Sequence, residues 1–393
     1  MSTTESLAVA AVRPLSLQTE TEREFAENVL DWARQEIAPK SAAMDRDNKM
    51  DPALVKSFFD MSLMGIEIPE EHGGLGLNFG TAIAVIEALA RVDAAAAVVV
   101  DVQNTLVENA ILRWASPELK KKYLPQLASQ KVAAYALSEA ESGSDAFALQ
   151  ARAEKKGDRW VLNGGKLWIT NGLEAELFLV FANVDFSKGY KGITAFFVES
   201  GWKGFGKGKK EDKLGIRASS TLALSFDDLE VPEENVVGKV GEGYKVAIET
   251  LNEGRIGIGA QMIGLSRAAL DYAASYVKER KQFGKPIAEF QAIQHELARM
   301  DMELECARLA VYNAVRLKEA GLPFAREGAI AKLKASEVAE YCTSKGLELL
   351  GGYGYVKEYP LEKMYRDAKI GKIYEGTSYM QLSTIAKEVL RRA

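Results

Sequence analysis

The sequence predicts an α+β multidomain chain: a helical domain over residues 1–131, a compact β domain over 132–243 and a helical bundle over 244–393. Two changes in hydrophobic period carry this prediction. In the first part Phe25, Val29, Leu30 and Trp32 recur at roughly helical spacing. From about residue 132 the segments LFLVFANV, GITAFFVE and TLALSFDDL are short, rich in β-branched and aromatic residues, and separated by Gly, Asp and Lys turns. Helical period then returns, with Ile293, Leu297, Met300, Leu304, Ala307, Val311 and Val315 on one continuous apolar stripe.

Within the first part, Asp51-Pro52 reads as a helix cap followed by a first-turn proline. The glycine-rich EHGGLGLNFG reads as a connection that ends one helix and admits the next, with a binding loop as the alternative. In the middle part Leu222, Leu224 and Phe226 alternate with smaller or polar residues, the pattern of a strand with one buried face. The basic GFGKGKKEDK (204–213) lacks a phosphate-loop pattern and reads as a solvated inter-strand loop. In the last part, further helices are expected over about 324–350 and after Ser378.

A chain of 393 residues that is 47% hydrophobic has enough apolar material for more than one core. Its net charge of −5 gives no general attraction for nucleic acid or an anionic membrane surface, and neither is an expected partner. Cys306 and Cys342 lie in helix-like sequence without disulfide or metal spacing and are expected as core thiols. Two scattered histidines, His72 and His295, make no metal cluster. The opening residues show no basic n-region or repeated arginines, and the apolar run Ala94 to Val100 is bracketed by Asp93 and Asp101. A cytoplasmic location is the default, with a mature organellar matrix protein as the alternative.

Five motifs add a resemblance: YALSEAESGSD (135–145), KLWITNG (166–172), ERKQFGKPIAEFQ (279–291), GGYGYVKEYPLEKMYRDAKI (351–370) and IYEGTS (373–378). In this order and spacing, across nearly the whole chain, the sequence resembles the acyl-CoA dehydrogenase family. Within it, LNEGRIGIGAQM and TSYMQLSTIAKEVL look most similar to the short/branched-chain group. The resemblance implies the acyl-CoA dehydrogenase fold: an N-terminal helical domain, a middle β-barrel-like domain and a C-terminal four-helix bundle.

It also implies an FAD enzyme. Tyr135, Ala136, Leu137, Ser138, Glu139, Ala140, Glu141, Ser142, Gly143 and Ser144, with Trp168, Ile169 and Thr170, would line the isoalloxazine ring, where N–H and O–H donors stabilise the reduced form. Taken without the resemblance, Trp168 reads equally well as a core tryptophan at a strand end. Arg280, Gln291 and the segment Glu348, Leu349, Leu350, Gly351 and Gly352 would hold the pyrophosphate and adenosine of a neighbouring subunit's cofactor, arginine through its planar fork. Thr377, Ser378 and Tyr379 join the cofactor set, the two hydroxyls with helix capping as a second role. A homotetramer arranged as a dimer of dimers follows from the resemblance.

For the acyl-CoA substrate, Ser144, Tyr190, Tyr244, Asn252, Glu253, Gly254, Arg255 and Gly376 match contact positions; a structurally paired Arg255 is the alternative for that residue. Removing the weakly acidic α-hydrogen of a thioester needs a close carboxylate. Glu375 matches the family's base, and its main-chain N–H would help hold the thioester oxygen. Some relatives carry the base immediately before the arginine equivalent to Arg255. Here that position is Gly254, and Glu253 is out of register. Two departures stand out: Glu348 replaces a common Gln, and Glu141-Ser142 replaces a small pair. The implied reaction is α,β-dehydrogenation of a short or short branched-chain acyl-CoA, such as 2-methylbutanoyl- or isobutanoyl-CoA, to the trans-2-enoyl-CoA. Electrons would pass to electron-transferring flavoprotein. A straight-chain butyryl/hexanoyl-CoA dehydrogenase, an oxidase and a non-catalytic flavin or acyl-CoA binding protein are the alternatives.

Overall fold

The computed structural model describes residues 17–392. Most of the N-terminal stretch read above for a targeting signal lies outside them. Seven helical segments come first: α1 (Glu20–Glu36), α2 (Ala38–Arg46), α3 (Pro52–Asp60), α4 (Phe79–Ala90), α5 (Ala94–Asp101), α6 (Asn109–Trp114) and α7 (Pro117–Ser129). Their starts follow local chemistry. Thr19 and Glu22 form a reciprocal capping box on α1, Asp51 accepts from Ala53 N ahead of Pro52, and Asn78 accepts from Thr81 N. Asp93 caps α5 by accepting from Ala95 N and Ala96 N. EHGGLGLNFG connects the Glu70–His72 turn to α4.

Between α5 and α6 the backbone widens into a π-helical segment, Val102–Glu108. The combined helix Ala94–Trp114 is long and apolar enough to cross a membrane by length and composition, longer than the bracketed run alone suggested. Yet 94% of its apolar window is buried against the rest of the protein, as a core helix would be.

The middle part is one eight-stranded mixed sheet: β1 (Ala133–Ala136), β2 (Arg152–Lys156), β3 (Arg159–Thr170), β4 (Leu177–Asn183), β5 (Ile193–Glu199), β6 (Phe205–Lys210), β7 (Thr221–Pro232) and β8 (Val236–Val237). The order is β6-β7-β3-β2-β4-β5-β8, and β1 pairs parallel with β4 beside this path. The expected barrel-like closure is therefore wrong. The edges β6 and β8 do not meet: β8 is two residues long, and β6 is an edge strand bearing lysines, a device that blocks further pairing. The basic stretch is thus a strand, where a loop was expected. Its Lys207 reaches the carbonyls of Leu173 and Ala175, and Lys210 that of Asn48.

The helices of the last part are α8 (Gly243–Glu279), α9 (Gln291–Glu319), α10 (Ala325–Leu349), the short α11 (Leu361–Ala368) and α12 (Ser378–Arg392). The predicted stripe on α9 is buried from Met300 to Val315 and part-exposed before that. Cys342 is buried as expected; Cys306 is exposed, because it lies off that stripe.

One buried ionic knot ties the three parts together. Lys363 on α11 donates to Asp367 at 2.6 Å and pairs with Asp93 at 3.1 Å. Asp367 also accepts from the main-chain N of Ile216 in the sheet region at 2.5 Å. Burial opposes the ammonium charge, but the two carboxylates hold Lys363 protonated well above its ordinary range. Next to it, Arg366 joins Asp45 at 2.7 Å to the Leu214 carbonyl at 3.1 Å. Replacing Lys363 by methionine leaves two buried carboxylates facing each other. Lys363→Met is expected to cost about 3–5 kcal/mol, read by chemical denaturation. Adding Asp93→Asn should return part of that loss.

Candidate active site

Glu375 sits between a short turn, Lys369–Lys372, and the start of α12. Its φ is +51° and that of Gly376 is +85°, so two successive residues are left-handed. Glycine adopts this freely; glutamate does so at a cost of order 1 kcal/mol, which the surroundings must offset. They do so with several hydrogen bonds. Lys332 Nζ on α10 donates to the Gly376 carbonyl at 2.6 Å, and Ser336 Oγ to the Gly371 carbonyl at 2.8 Å. Gln381 Nε2 donates to the carbonyls of Gly376 (2.8 Å) and Glu375 (3.1 Å), while Tyr374 donates to Gln261 on α8.

Although Glu375 is half-buried as a residue, its Oε2 is shut off from solvent and has no hydrogen-bond partner. Burial pushes its carboxyl up to about 7, and the charges of Lys332 and Arg255 restrain the rise. The carboxylate fills a notch on α8. A Cβ at Gly254 would stand 2.9 Å from Oε2 and 2.7 Å from Leu106 of the π segment. One turn along α8, a Cβ at Gly257 would clash with the carboxylate of Asp101. Asp101 is buried, accepts from Thr105 Oγ1 at 2.9 Å, and is raised well above the usual carboxylate range by burial and by Glu375. Tyr135 hydrogen-bonds with Thr250 at 3.1 Å and is held neutral by burial.

Neighbouring residues divide into contacts and supports. Arg255 Nη1 donates to Asn252 at 2.9 Å, and its buried Nε is unpartnered. Glu253, expected among the substrate contacts, is fully buried and ion-paired to Arg113, with Lys318 at 4.0 Å. Helical geometry turns it a step away from the face that carries Gly254. Tyr190 and Tyr244 come together edge to face with centroids 5.0 Å apart, Phe147 lying beside Tyr190.

The segment 135–144 leaves β1 and folds into a turn in which Glu139 and Ser142 exchange main-chain hydrogen bonds. The Glu139 side chain is structural: it meets the buried Lys166 Nζ at 2.6 Å and accepts from Gln150 N and Ala151 N. Burial pulls the Lys166 ammonium down to about 8 against the pull of Glu139. Glu141 points to solvent, and Ser142 Oγ is tied to the Asp145 carbonyl, so the unusual pair adds no buried charge. Gly143 and Ser144 are exposed.

On β3 a one-residue bulge between Lys166 and Ile169 coincides with φ +62° at Trp168. It turns the indole outward, 64% exposed, so Trp168 is not a core residue. Ile169 is buried, while Thr170 and Thr377 are half-buried. Ser378 Oγ is shut off from solvent without a partner and so makes no cap; Tyr379 is exposed. An exposed flat aromatic and an unpartnered hydroxyl fit a planar, hydrogen-bonding cofactor.

A second site is a cleft of about 640 Å³ lined by residues including Tyr276, Arg280, Glu348, Leu349, Leu350, Gly351, Gly352 and Tyr353. The Arg280 guanidinium lies 5.4 Å from the Tyr353 ring centroid. Glu348 pairs with Lys345 at 2.7 Å, which disposes of its charge. Gln291 is exposed at the start of α9 and is not among the lining residues. Arg255 and Arg280 lie on and at the end of the same helix, 25 residues or about 37 Å apart at 1.5 Å per residue. The second site therefore lies at the C-terminal end of α8, well away from the first.

Sequence reasoning missed Lys332, Asp101, Lys166 and Gln261. Asp101 had a legible signal, a lone acid ending an apolar run; the others did not. Among the described residues no group of His, Cys, Asp and Glu could hold a metal ion.

Three family descriptions match the chain: the acyl-CoA dehydrogenase N-terminal domain over residues 19–131, the middle domain over 134–229 and the C-terminal domain over 241–390. The mitochondrial short/branched chain specific acyl-CoA dehydrogenase of Bos taurus is 50% identical over 95% of this chain and 87% of its own length. The short-chain specific acyl-CoA dehydrogenase of Clostridium acetobutylicum is 45% identical over 94% and 96%. Among solved structures, the butyryl-CoA dehydrogenase of Megasphaera elsdenii superposes with a TM-score of 0.93 at 41% identity, covering 95% of this chain and 99% of the other. Matched from end to end by domains, relatives and fold, the chain belongs to the acyl-CoA dehydrogenase family.

Proposed function

We propose that Glu375 is the base that removes the α-proton of a short branched-chain acyl-CoA in this FAD-dependent dehydrogenase. The observation that carries this reading is the unpartnered Oε2 of Glu375, buried against Gly254 with its proton affinity raised to neutrality. A carboxyl titrating near 7 is matched to proton abstraction at ordinary pH. Arg255, with an unpartnered Nε, keeps the site's charge balanced once the base ionises. When bound, FAD supplies the acceptor for the hydride leaving the β-carbon.

The segment 135–144, Trp168, Thr170, Thr377 and Ser378 fit the flavin end of the cofactor, Trp168 by covering a ring face. Arg280 and the Glu348 to Gly352 segment fit its diphosphate and adenosine end. Their placement at the far end of α8 supports a cofactor shared between two copies, hence a homotetramer built from dimers. Ser144, Tyr190, Tyr244 and Asn252 are proposed acyl-CoA contacts; Glu253 is not, because it is consumed in its ion pair.

Relatives named short/branched chain specific reach 50–51% identity, against 43–45% for those named short-chain specific, which supports a branched acyl group. Electron-transferring flavoprotein is the proposed acceptor; a chain solved in work on that protein from Acidaminococcus fermentans superposes with a TM-score of 0.94 at 41% identity, over 95% of this chain and 98% of the other. The mammalian relatives named mitochondrial agree with an organellar matrix location as the alternative to cytoplasm.

Initial rates on 2-methylbutanoyl-, isobutanoyl-, isovaleryl- and butanoyl-CoA test the substrate reading; a clear preference for butanoyl-CoA would make it a straight-chain enzyme. Glu375→Gln should keep its flavin and lose at least about a hundredfold in kcat; undiminished turnover would remove Glu375 from the mechanism. In the wild type, kcat/KM should fall as pH drops through about 7, since that ratio reports the free enzyme's base. The same shift bears on stability. Between the ordinary carboxyl value of 4.5 and about 7, the unfolded chain ionises Glu375 while the folded one keeps its proton, so wild-type stability declines as pH rises through that window. Glu375→Gln escapes this loss, and its melting temperature should exceed the wild type's by more at pH 8 than at pH 5.

A further inference from the structure

Among the described residues Lys166 and Lys332 are fully buried and the Lys363 side chain nearly so, and the three are not equivalent. Lys166 meets Glu139, and Lys363 meets Asp93 and Asp367. Lys332, on α10, is also fully buried, yet among the described ion pairs within 4.0 Å it has no partner. Its ammonium donates to the Gly376 carbonyl at 2.6 Å, the residue directly after Glu375. Burying an ammonium on one carbonyl bond alone is costly, and an aliphatic side chain would fill the same space more cheaply. The carboxylate whose charge it senses is that of Glu375.

We propose that Lys332 is a positioning residue for Glu375: it grips the Gly376 carbonyl to hold the left-handed Glu375–Gly376 pair in place, and its charge favours the ionised base. This rests on the reading of Glu375 as the base. Five groups face that carboxylate. Lys332 from α10 and Arg255 from α8 favour its ionised form, and Asp101 at the end of α5 is a second acid, pushed well above the usual carboxylate range by burial and by the Glu375 charge. Tyr135 from β1 and Tyr374 from its own loop are neutral. Arg255 is engaged by Asn252, and Lys332 is the one of the two cations that bonds to the backbone of the residue next to Glu375. Burial brings the Lys332 ammonium down to about 8, so its help fades toward alkaline pH. Ser336, one turn further along α10, anchors the same loop at Gly371 without any charge.

The test is the pH dependence of kcat/KM for the purified holoenzyme in wild-type, Lys332→Met, Lys332→Arg and Ser336→Ala forms, with flavin content read from the visible absorbance. Losing a neighbouring cation raises a carboxyl's proton affinity, so Lys332→Met should move the acid limb upward by about one pH unit, with roughly tenfold lower kcat/KM at pH 6. Lys332→Arg should leave the limb in place and lower kcat through poorer geometry. Ser336→Ala should leave the limb in place. A limb unmoved in flavin-loaded Lys332→Met overturns the proposal. If that variant fails to fold, Lys332→Gln, which keeps a donor for the Gly376 carbonyl but carries no charge, takes its place: a limb raised by about one unit upholds the proposal and an unmoved limb overturns it. Glu375→Gln, assayed alongside, separates the two failures. Full activity there defeats the base itself, whereas its inactivity with an unmoved Lys332→Met limb defeats only the role of Lys332.

Discussion

The structure depends on keeping charge in the interior of an otherwise apolar protein without letting it go unpaired. The knot around Lys363 does this where the three parts of the chain meet. A buried ion pair of this kind adds little net stability compared with a hydrophobic replacement, because desolvation offsets most of the attraction. Its value here is geometric. Only one mutual arrangement of α5, the sheet region and α11 satisfies Asp93, the Ile216 N–H and Lys363 together. The loop carrying Glu375 leaves α11 directly after this knot, so the proposed base inherits its position from the junction.

Around Glu375 the same constraint is relaxed on purpose. Its Oε2 lacks a partner, the Asp101 carboxyl that senses its charge is itself raised well above the usual range, and its cations act at a distance. Satisfying that carboxylate fully would hold it ionised and weak as a base. The π segment and the two glycines of α8 make the room, and α10 supplies the anchors. Strain at Glu375, burial of Lys332 and crowding at Gly254 are three costs located within one small volume, as is usual where function overrides local preference.

Much of this was legible in the sequence. Caps at Asp51 and the apolar stripe on α9 are local patterns, and local patterns survive into the fold. Openness of the sheet was not legible, because closure depends on whether two edges distant in sequence meet, and each strand looks the same either way. The partners of Lys166 and Lys332 were hidden for a similar reason: a lysine in helical or strand sequence reads as a solvated face until tertiary contacts bury it. Cys306 and Trp168 show the reverse. Each sits in an apolar neighbourhood, yet one lies off the helix stripe and the other is turned outward by a single bulge. Glu375 was found through its motif; that its carboxylate would stand against α8 opposite Gly254 required the structure.

Gly254 bears on how such enzymes can change over evolutionary time. Where relatives place their base immediately before the arginine, the side chain would enter the same notch that the Glu375 carboxylate fills here, from the opposite wall. The two placements draw on one volume, and what a side chain at Gly254 meets there is the movable ends of Leu106 and Glu375, not backbone. A second acid on this wall is accommodated only by displacing the first, so the two placements are coupled through a single glycine.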